Sequence, residues 1–186
     1  MSSKKRLLGI AGATAAALIA TMLPSNAASA STAPTAPTAP TASPMAYGWH
    51  YMQTESPNSL CLSYVPSPQQ LTMGSCGATQ NQWSTYDDGD GSFTIYPNVR
   101  LGTSVCLDAD SNSMRNGGRV QVWACNGQPQ QKWYPEYIYG GVIWHNGLNR
   151  NLVLDANNDG VQSPATWGDR VQLWTRNAWQ NQLWSN

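Results

Sequence analysis

Two sets of side chains in this sequence combine the same residue types: one carboxylate, two amides and one tryptophan. Equivalent members of the sets are 47 to 51 residues apart, and the sets are Asp108, Gln121, Trp123 and Gln130, then Asp155, Gln172, Trp174 and Asn181. A carboxylate accepts hydrogen bonds, an amide donates and accepts them, and an indole offers a flat apolar face. A sugar presents hydroxyl groups and a ring face of C–H groups, so each set has the chemistry of a carbohydrate site.

The sets recur because the chain contains three internal repeats. The second repeat reads Cys-Leu-Asp at 106–108, Val-Gln-Val-Trp at 120–123 and Gln-Lys-Trp at 131–133, and the third reads Val-Leu-Asp at 153–155, Val-Gln-Leu-Trp at 171–174 and Gln-Leu-Trp at 182–184. The first repeat is more diverged, because Ser63, Thr72 and Gly74 stand where the other two have Asp, Gln and Trp. At most two sites are therefore expected to bind.

Short strands joined by turns are the elements that must position these residues. Each repeat opens on an apolar and aromatic run, and Gly, Asn, Asp and Pro interrupt it at short intervals without a 3.6-residue periodicity. Four strands of about five residues fill a repeat. Twelve strands must protect their edges, which barrel closure between the C-terminal and N-terminal strands achieves. We expect an all-β fold of three four-strand repeats, at about residues 47–89, 90–139 and 140–186.

The N-terminal segment is typical of an exported protein. Lys4, Lys5 and Arg6 precede an apolar stretch, and Ala28-Ser29-Ala30 is a small-residue cleavage site, so residues 1–30 are predicted to be a signal peptide. Glycines and threonines dilute the stretch, which makes a retained membrane anchor the weaker interpretation. Residues 31–46, rich in Thr, Pro and Ala, favour an extended linker. We expect a secreted, extracellular monomer that does not bind membranes.

Charge and cysteine content exclude other classes of ligand. Three of the ten basic residues lie in the export segment, which leaves seven against ten acidic residues and argues against nucleic-acid binding. The four cysteines, Cys61, Cys76, Cys106 and Cys125, lie in the exported part, where an oxidising environment permits three alternative disulfide pairings. Cys-x-x-Cys spacing with His partners is missing, so we expect neither a metal site nor a cofactor.

The ordered Leu-Asp, Val-Gln-x-Trp and Gln-x-Trp motifs resemble those of the ricin-type β-trefoil lectins, and the resemblance covers about residues 47–186. It implies a pseudo-threefold β-trefoil and a structural core role for Trp83, Trp133, Trp184, Gln131 and Gln182. It also implies a disulfide within each of the first two repeats, Cys61 with Cys76 and Cys106 with Cys125. The third repeat has Val153 and Arg176 at those positions, so we expect it to hold together by packing alone.

The resemblance also assigns roles within the two sets. Asp108 and Asp155 are the acceptors for adjacent sugar hydroxyls, Trp123 and Trp174 the stacking platforms, and Gln130 and Asn181 the amide partners. Gln121 and Gln172 are as readily structural as functional. The glycans implied are galactose-containing or xylose-containing, with avidity on a polymer supplying the affinity. The alternative for the aspartates and platforms is that they are turn caps and core residues.

Other functions fit the sequence less well. A glycosidase needs two carboxylates at a fixed separation, whereas the recurring carboxylates here occur once per repeat, so we expect no enzyme. His50 and His145 each follow a Trp in an opening strand, which favours structural roles. Asp155, Asn157, Asp159 and Gly160 match only the front half of a calcium loop. The remaining alternative is a β-trefoil protease inhibitor or protein-docking module that binds no sugar.

The third repeat has a longer loop than the second between its Asp and its Gln, and this loop carries Trp167. We expect Trp167 either to border the third site or to cover the end of the barrel.

Overall fold

The computed structural model of the protein describes residues 48–54, 58–66, 70–99, 101, 104–138, 141–157 and 165–185. The expected signal peptide and linker, and Asp159 and Gly160 of the calcium-like loop, lie outside the described residues. None of the helices formed by the described residues has the length and apolar character that a membrane span requires.

Antiparallel strands dominate the described residues, so the expected all-β fold is confirmed. The strands are β1 (His50–Tyr51), β2 (Gln53–Thr54), β3 (Leu60–Val65), β4 (Gln70–Ser75), β5 (Gln82–Asp87), β6 (Phe93–Pro97), β7 (Val105–Ala109), β8 (Gly118–Ala124), β9 (Trp133–Ile138), β10 (Gly141–Asn146), β11 (Leu152–Ala156), β12 (Val171–Thr175) and β13 (Trp184–Ser185). Short 3₁₀ helices occupy Thr79–Asn81, Ser111–Ser113, Pro129–Gln131 and Gln180–Gln182.

The described residues contain thirteen strands rather than twelve, because the opening strand of the first repeat changes partner at Met52. On one side of Met52, Tyr51 pairs with Gln82 of β5; on the other, Gln53 pairs with Cys61 of β3. Met52 itself is fully buried. β2 also pairs with the last strand, since Trp184 lies opposite Thr54. The expected closure between the two ends of the chain is therefore confirmed.

Three hairpins, β3–β4, β7–β8 and β11–β12, share one register. The opposed pairs are Ser63 with Thr72, Asp108 with Gln121 and Asp155 with Gln172. Successive side chains in a strand point to opposite faces. In Val-Gln-x-Trp this alternation places Gln and Trp on the outer face and turns the apolar residues inward, as Val120 and Val122 are buried in the core. The spacing of the motif thus separates the site from the packing that supports it.

The tryptophans of the three Gln-x-Trp motifs lie in the shared core. Trp83, Trp133 and Trp184 are fully buried. Each indole N–H donates to a backbone carbonyl of its own repeat, that of Leu62, Leu107 or Leu154, at 2.9, 3.0 and 3.1 Å. A 3₁₀ helix precedes each of these tryptophans and ends on the buried amide residue of the motif, which is Asn81, Gln131 or Gln182. In each repeat, one short 3₁₀ helix thus joins a buried amide residue to the tryptophan of the core.

Two disulfides close the hairpins of the first two repeats, Cys61 with Cys76 and Cys106 with Cys125, which confirms the implied pairing. The loops that they close, 15 and 19 residues long, correspond to roughly 3 kcal/mol each in the chain-entropy account.

In the third repeat, the residue at the second cysteine position forms an ion pair with a neighbouring repeat. Arg176, which stands at the second cysteine position, donates from Nε to Glu136 Oε2 at 2.8 Å and forms an ion pair through Nη2 at 2.5 Å. His145 Nε2 lies 2.8 Å from the same carboxylate. The Arg176 guanidinium, followed by His145, lowers the pKa of Glu136 to about 2. This partly exposed ion pair connects the end of β12 with β9 of the second repeat, and the expectation that packing alone holds the third repeat stays a prediction.

Candidate functional sites

In the second repeat, two amide side chains hold the carboxylate of Asp108. Asp108 is buried on β7, where Gln121 Nε2 donates to its Oδ1 and Gln131 Nε2 to its Oδ2, each at 3.0 Å. Gln131 Nε2 also donates to the carbonyl of Ala124, and Gln131 Oε1 accepts from the backbone N–H of Asn126. Because both of its oxygens are held by side-chain amides, Asp108 is fixed as an acceptor and is not a backbone turn cap.

An open cleft of about 320 Å³ lies over this carboxylate. Its lining residues are Asp108, Asp110, Ser111, Asn112, Arg119, Gln121, Trp123, Asn126 and Gln130. Trp123 is 51% exposed, so its indole is a wall of the cleft and not a core residue. One flat apolar surface thus faces several polar groups, the arrangement that binds an amphipathic ring.

In the third repeat, three amides hold the equivalent carboxylate. Gln172 Nε2 donates to Asp155 Oδ1 at 3.0 Å, while Asn181 Nδ2 and Gln182 Nε2 donate to Oδ2 at 2.7 and 2.9 Å. Asp155 and Asn181 are buried, and Trp174 is partly exposed. Asn181 Oδ1 is buried and accepts no hydrogen bond from the described residues. An ionised carboxylate has about four acceptor positions, so the three amide bonds leave about one on Asp155 for a ligand hydroxyl.

Gln130 and Asn181 occupy the same repeat position but behave differently. The shorter Asn181 lies against its carboxylate, whereas Gln130 lines the open cleft of the second repeat. The two amides therefore differ in role: Asn181 holds the carboxylate, whereas Gln130 gives the cleft a side chain that can donate and accept.

Burial raises the pKa of both carboxyl groups. The pKa of Asp155 is raised to about 6, since desolvation outweighs the hydrogen bonds from Gln172, Gln182 and Asn181. The pKa of Asp108 is also raised by burial, and hydrogen bonds from Gln121 and Gln131 oppose the rise. Burial thus favours the protonated, uncharged form of both carboxyl groups.

The first repeat fills the corresponding space with its own side chains. Ser63 Oγ donates to Asn81 Oδ1, and Asn81 Nδ2 donates to the carbonyl of Ser75. Gly74 replaces the platform, and a Cβ added there would lie 3.1 Å from Ser63 Cβ and Oγ. This repeat therefore has neither a carboxylate nor an aromatic surface at the position where the other two repeats have both.

Trp167 lies beside the first repeat. It is 74% exposed, and the adjoining Gly168 N–H donates to the carbonyl of Met73 at 2.7 Å. Met73 in turn donates to the carbonyl of Asp169 at 2.8 Å. The corresponding loop of the second repeat also contacts a neighbouring repeat, since the Gly117 N–H donates to the carbonyl of Leu173 in the third repeat. The sequence could not show this, because the neighbour of each loop belongs to a different repeat.

Several residues that line or support the sites were not assigned that role from the sequence. Gln131 and Gln182 are buried as expected, but they also donate to the site carboxylates. Asp110 and Arg119 line the second cleft, and Arg170 Nη2 donates to Gln172 Oε1 at 3.3 Å. The signal for the arginines was present in the sequence, because Arg precedes Val-Gln-x-Trp in both intact repeats.

Metal binding and histidine chemistry have little support among these residues. No group of three potential metal-ligating side chains occurs within the described ranges. A cation at Asp155 would have to compete with the three amide donors that already bind its oxygens. His145 Nδ1 lies 2.7 Å from the carbonyl of Arg150, and His50 Nδ1 lies 3.1 Å from that of Gly48, so both rings are engaged with the backbone.

Comparison with known proteins identifies the family. The sequence model of the ricin-type beta-trefoil lectin domain matches residues 49–184. The chain belongs to this family. Membership supports carbohydrate binding, and the family is generally non-catalytic. No curated protein sequence matches this chain.

Solved structures place the lectin-family domain in the β-trefoil fold. A designed threefold symmetric protein, ThreeFoil, is 19% identical, with a TM-score of 0.62, and the match covers 73% of this chain and 95% of that one. The ricin B-like lectin of Macrolepiota procera, determined in complex with lactose, is 13% identical, with a TM-score of 0.60 and coverage of 77% and 97%. The match to an exo-β-1,3-galactanase from Clostridium thermocellum, at 21% identity and a TM-score of 0.57, covers 73% of this chain but only 29% of the enzyme.

Proposed function

We propose that this protein is a secreted, non-catalytic lectin that binds galactose-type or xylose-type glycans through its second and third repeats. One observation carries the proposal: two repeats place a buried, amide-held aspartate and an accessible tryptophan on the same outer face, and the first repeat has neither. Sugar binding is the one family property that requires this combination twice.

The chemistry of each site follows from its fixed groups. An ionised aspartate accepts hydrogen bonds from two neighbouring hydroxyls, which specifies their relative orientation on the ring. The indole of Trp123 or Trp174 packs against the C–H face of the same ring. Amides that hold the carboxylate in place reduce the entropy lost on binding, because the acceptor is already oriented before the sugar arrives.

Galactose is favoured by the kind of glycan bound or released by relatives of similar fold. The Macrolepiota procera lectin was determined with lactose, and the Clostridium thermocellum enzyme is named as an exo-β-1,3-galactanase. Two sites on one chain, facing away from a pseudo-threefold axis, suit a polymer, where the second contact becomes intramolecular and raises the overall affinity.

A glycan array combined with a pulldown on insoluble xylan and galactan tests the proposal. We expect binding to galactose-containing or xylose-containing glycans that is lowered about fivefold or more by Trp123→Ala and by Trp174→Ala, since each removes about 1 to 3 kcal/mol of stacking and burial. Trp167→Ala, which alters a tryptophan beside the first repeat, is the matched control. Lack of binding to any glycan, together with inhibition in a protease panel, would instead favour the inhibitor function.

The raised pKa of Asp155 predicts opposite pH dependences for binding and stability. Because its folded pKa of about 6 exceeds the ordinary 3.8, the folded state holds the proton more tightly, and stability falls as pH rises between these values. Binding requires the ionised carboxylate, so affinity at the third site should fall about tenfold from pH 7 to pH 5. Titration of the Asp108→Ala variant by calorimetry measures this, with circular dichroism at each pH as the folding control. Affinity that stays constant over this range would contradict the assigned role of Asp155.

A further inference from the structure

Three asparagines of the sequence are followed directly by glycine: Asn116, Asn126 and Asn146. Such pairs are prone to deamidation, in which the backbone nitrogen of the second residue attacks the side-chain amide of the first, because glycine has no Cβ to hinder the approach. The attacking nitrogen must give up its proton. A glycine whose N–H already donates to a carbonyl is therefore protected, and the hydrogen bonds of the three glycines decide which pair can react.

Two of the three pairs are protected. The N–H of Gly117 donates to the carbonyl of Leu173 at 2.9 Å, and that of Gly147 donates to the carbonyl of Lys132 at 2.8 Å. Asn146 is in addition fully buried. In both pairs the nitrogen must first be released by local opening of the structure before it can attack.

The remaining pair, Asn126 and Gly127, lies in an exposed turn. Both residues are exposed, and the N–H of Gly127 donates to none of the described residues. Asn126 Oδ1 accepts from the backbone N–H of Gln128 at 3.0 Å, so the side-chain amide is folded back towards the peptide of Gly127. The attacking nitrogen and its target are therefore close in the chain, and no hydrogen bond to the described residues restrains that nitrogen.

The third repeat builds the same turn with alanine in place of glycine. Asn177 corresponds to Asn126, since its Oδ1 also accepts from the N–H two residues on, at 2.9 Å. Ala178 has a φ of 59°, close to the 70° of Gly127, and its N–H donates to Gln182 Oε1 at 3.1 Å. A Cβ and a bound N–H both hinder attack there, so the equivalent asparagine of the third repeat is protected.

Asn126 also supports the second sugar site. It lines the cleft, and its backbone N–H donates to Gln131 Oε1 at 2.8 Å. Gln131 Nε2 in turn holds Asp108 Oδ2 at 3.0 Å. Deamidation adds a negative charge to a cleft that Asp108 and Asp110 already line, and an isoaspartate lengthens the main chain of the turn that supports Gln131. Both changes disturb the acceptor of the second site.

We propose that Asn126 is a site of spontaneous deamidation, which progressively weakens the second sugar site and spares the third. For its effect on binding, this inference rests on the proposed lectin function. The Gly127 nitrogen loses its proton to hydroxide and bonds to Asn126 Cγ; the bond from Cγ to Nδ2 breaks, and Nδ2 leaves as ammonia after taking a proton from water. Water then opens the cyclic imide at Cγ to give aspartate, or at the backbone carbonyl carbon to give isoaspartate, which has one extra methylene in the main chain.

Peptide mapping by mass spectrometry tests the site without any sugar. The folded protein is incubated at pH 8.5 and at pH 6, and conversion of each asparagine to the acid is followed with time. We expect Asn126 to convert about tenfold faster or more than Asn116 and Asn146, because their glycines must first be released by local opening. Conversion should be faster at pH 8.5, since hydroxide removes the glycine proton, and isoaspartyl methyltransferase should label part of the product.

Gly127→Ala is the matched control. A Cβ at this position would meet no heavy atom within 4 Å, and Ala178 shows that alanine occupies the same turn in the third repeat. The variant should therefore fold and bind sugar as the unaltered protein does, while Asn126 converts as slowly as Asn177.

Calorimetry on single-site variants measures the effect on binding. Asp155→Ala leaves the second site, Trp174→Ala provides a second background in which the third site is weakened, and ion exchange separates the converted from the unconverted form of each. We expect the converted forms to bind the sugar that the glycan array identifies about fivefold more weakly at the second site, as for the loss of one supporting hydrogen bond. In the Asp108→Ala variant, which leaves the third site, conversion should not change affinity.

The outcomes separate the modification from its effect and from the lectin function. Conversion of Asn126 no faster than that of Asn116 and Asn146 would overturn the modification site. Equal affinity of the converted and unconverted forms at the second site would overturn its effect on binding. Absence of binding by freshly prepared, unaltered protein to every array glycan would overturn the lectin function and that effect with it, while the mass measurement still decides the modification.

Discussion

The variant with both Asp108→Ala and Asp155→Ala is expected to lose retention on polysaccharide completely. Each carboxylate is the buried acceptor that two or three amides hold in place, so its removal eliminates the hydrogen bonds to the sugar and frees the amides that oriented it. A charged hydrogen bond is worth about 1.5 to 3 kcal/mol, and the amide bonds leave about two acceptor positions for the ligand on Asp108 and about one on Asp155. Loss at both sites also removes the gain from avidity, about 100-fold or more.

Affinity electrophoresis or pulldown on the polysaccharide that the array identifies measures this loss. Ser63→Ala, which alters the equivalent residue of the first repeat, is the matched control and should leave retention intact. Unfolding in urea must show that the double variant is folded. Retention by a folded double variant would disprove the assignment of Asp108 and Asp155 as the sugar acceptors.

Removal of a core tryptophan is expected to have the largest effect on stability. Trp133 is fully buried, and its indole N–H donates to the carbonyl of Leu107 on the strand that carries Asp108. Trp133→Ala leaves a cavity and an unpaired carbonyl, and such changes cost about 3 to 5 kcal/mol. The free energy of unfolding measured in urea should fall by about 4 kcal/mol. Trp167→Ala, at a residue 74% exposed, should change it by less than about 0.5 kcal/mol.

Equal losses in these two variants would contradict the placement of Trp133 in the core. Trp133→Phe separates the contribution of ring volume from that of the hydrogen bond, since Phe keeps an aromatic ring and lacks the donor. Its loss of unfolding free energy should lie between the losses of Trp133→Ala and Trp167→Ala.

Most of the fold could be predicted from the spacing of residues within each repeat. Val-Gln-x-Trp specifies a strand with Gln and Trp at its two outward positions and apolar residues at its two inward ones, and the hairpin registers at Asp108 and Asp155 follow from it. Internal repetition then multiplies one hairpin into three, and the disulfides come from the family resemblance. These features depend on neighbours within a single repeat, which is why the sequence was sufficient for them.

Contacts between distant elements could not be predicted in this way. Glu136 and Arg176 are 40 residues apart and have no partners of the same kind in the other repeats, so repetition gives no sign of their ion pair. The split of the first strand at Met52 depends on which strands close the barrel around it. The different roles of Gln130 and Asn181 arise from one methylene group, which decides whether the amide reaches the carboxylate.

The most direct test of the account is to locate the bound sugar itself. A crystal of the protein soaked with the sugar that the glycan array identifies should show one ring stacked on Trp123 with its hydroxyls on Asp108, a second on Trp174 with its hydroxyls on Asp155, and none at Gly74. A sugar bound at the first repeat, or bound away from both tryptophans, would contradict the central claim that the second and third repeats carry the function.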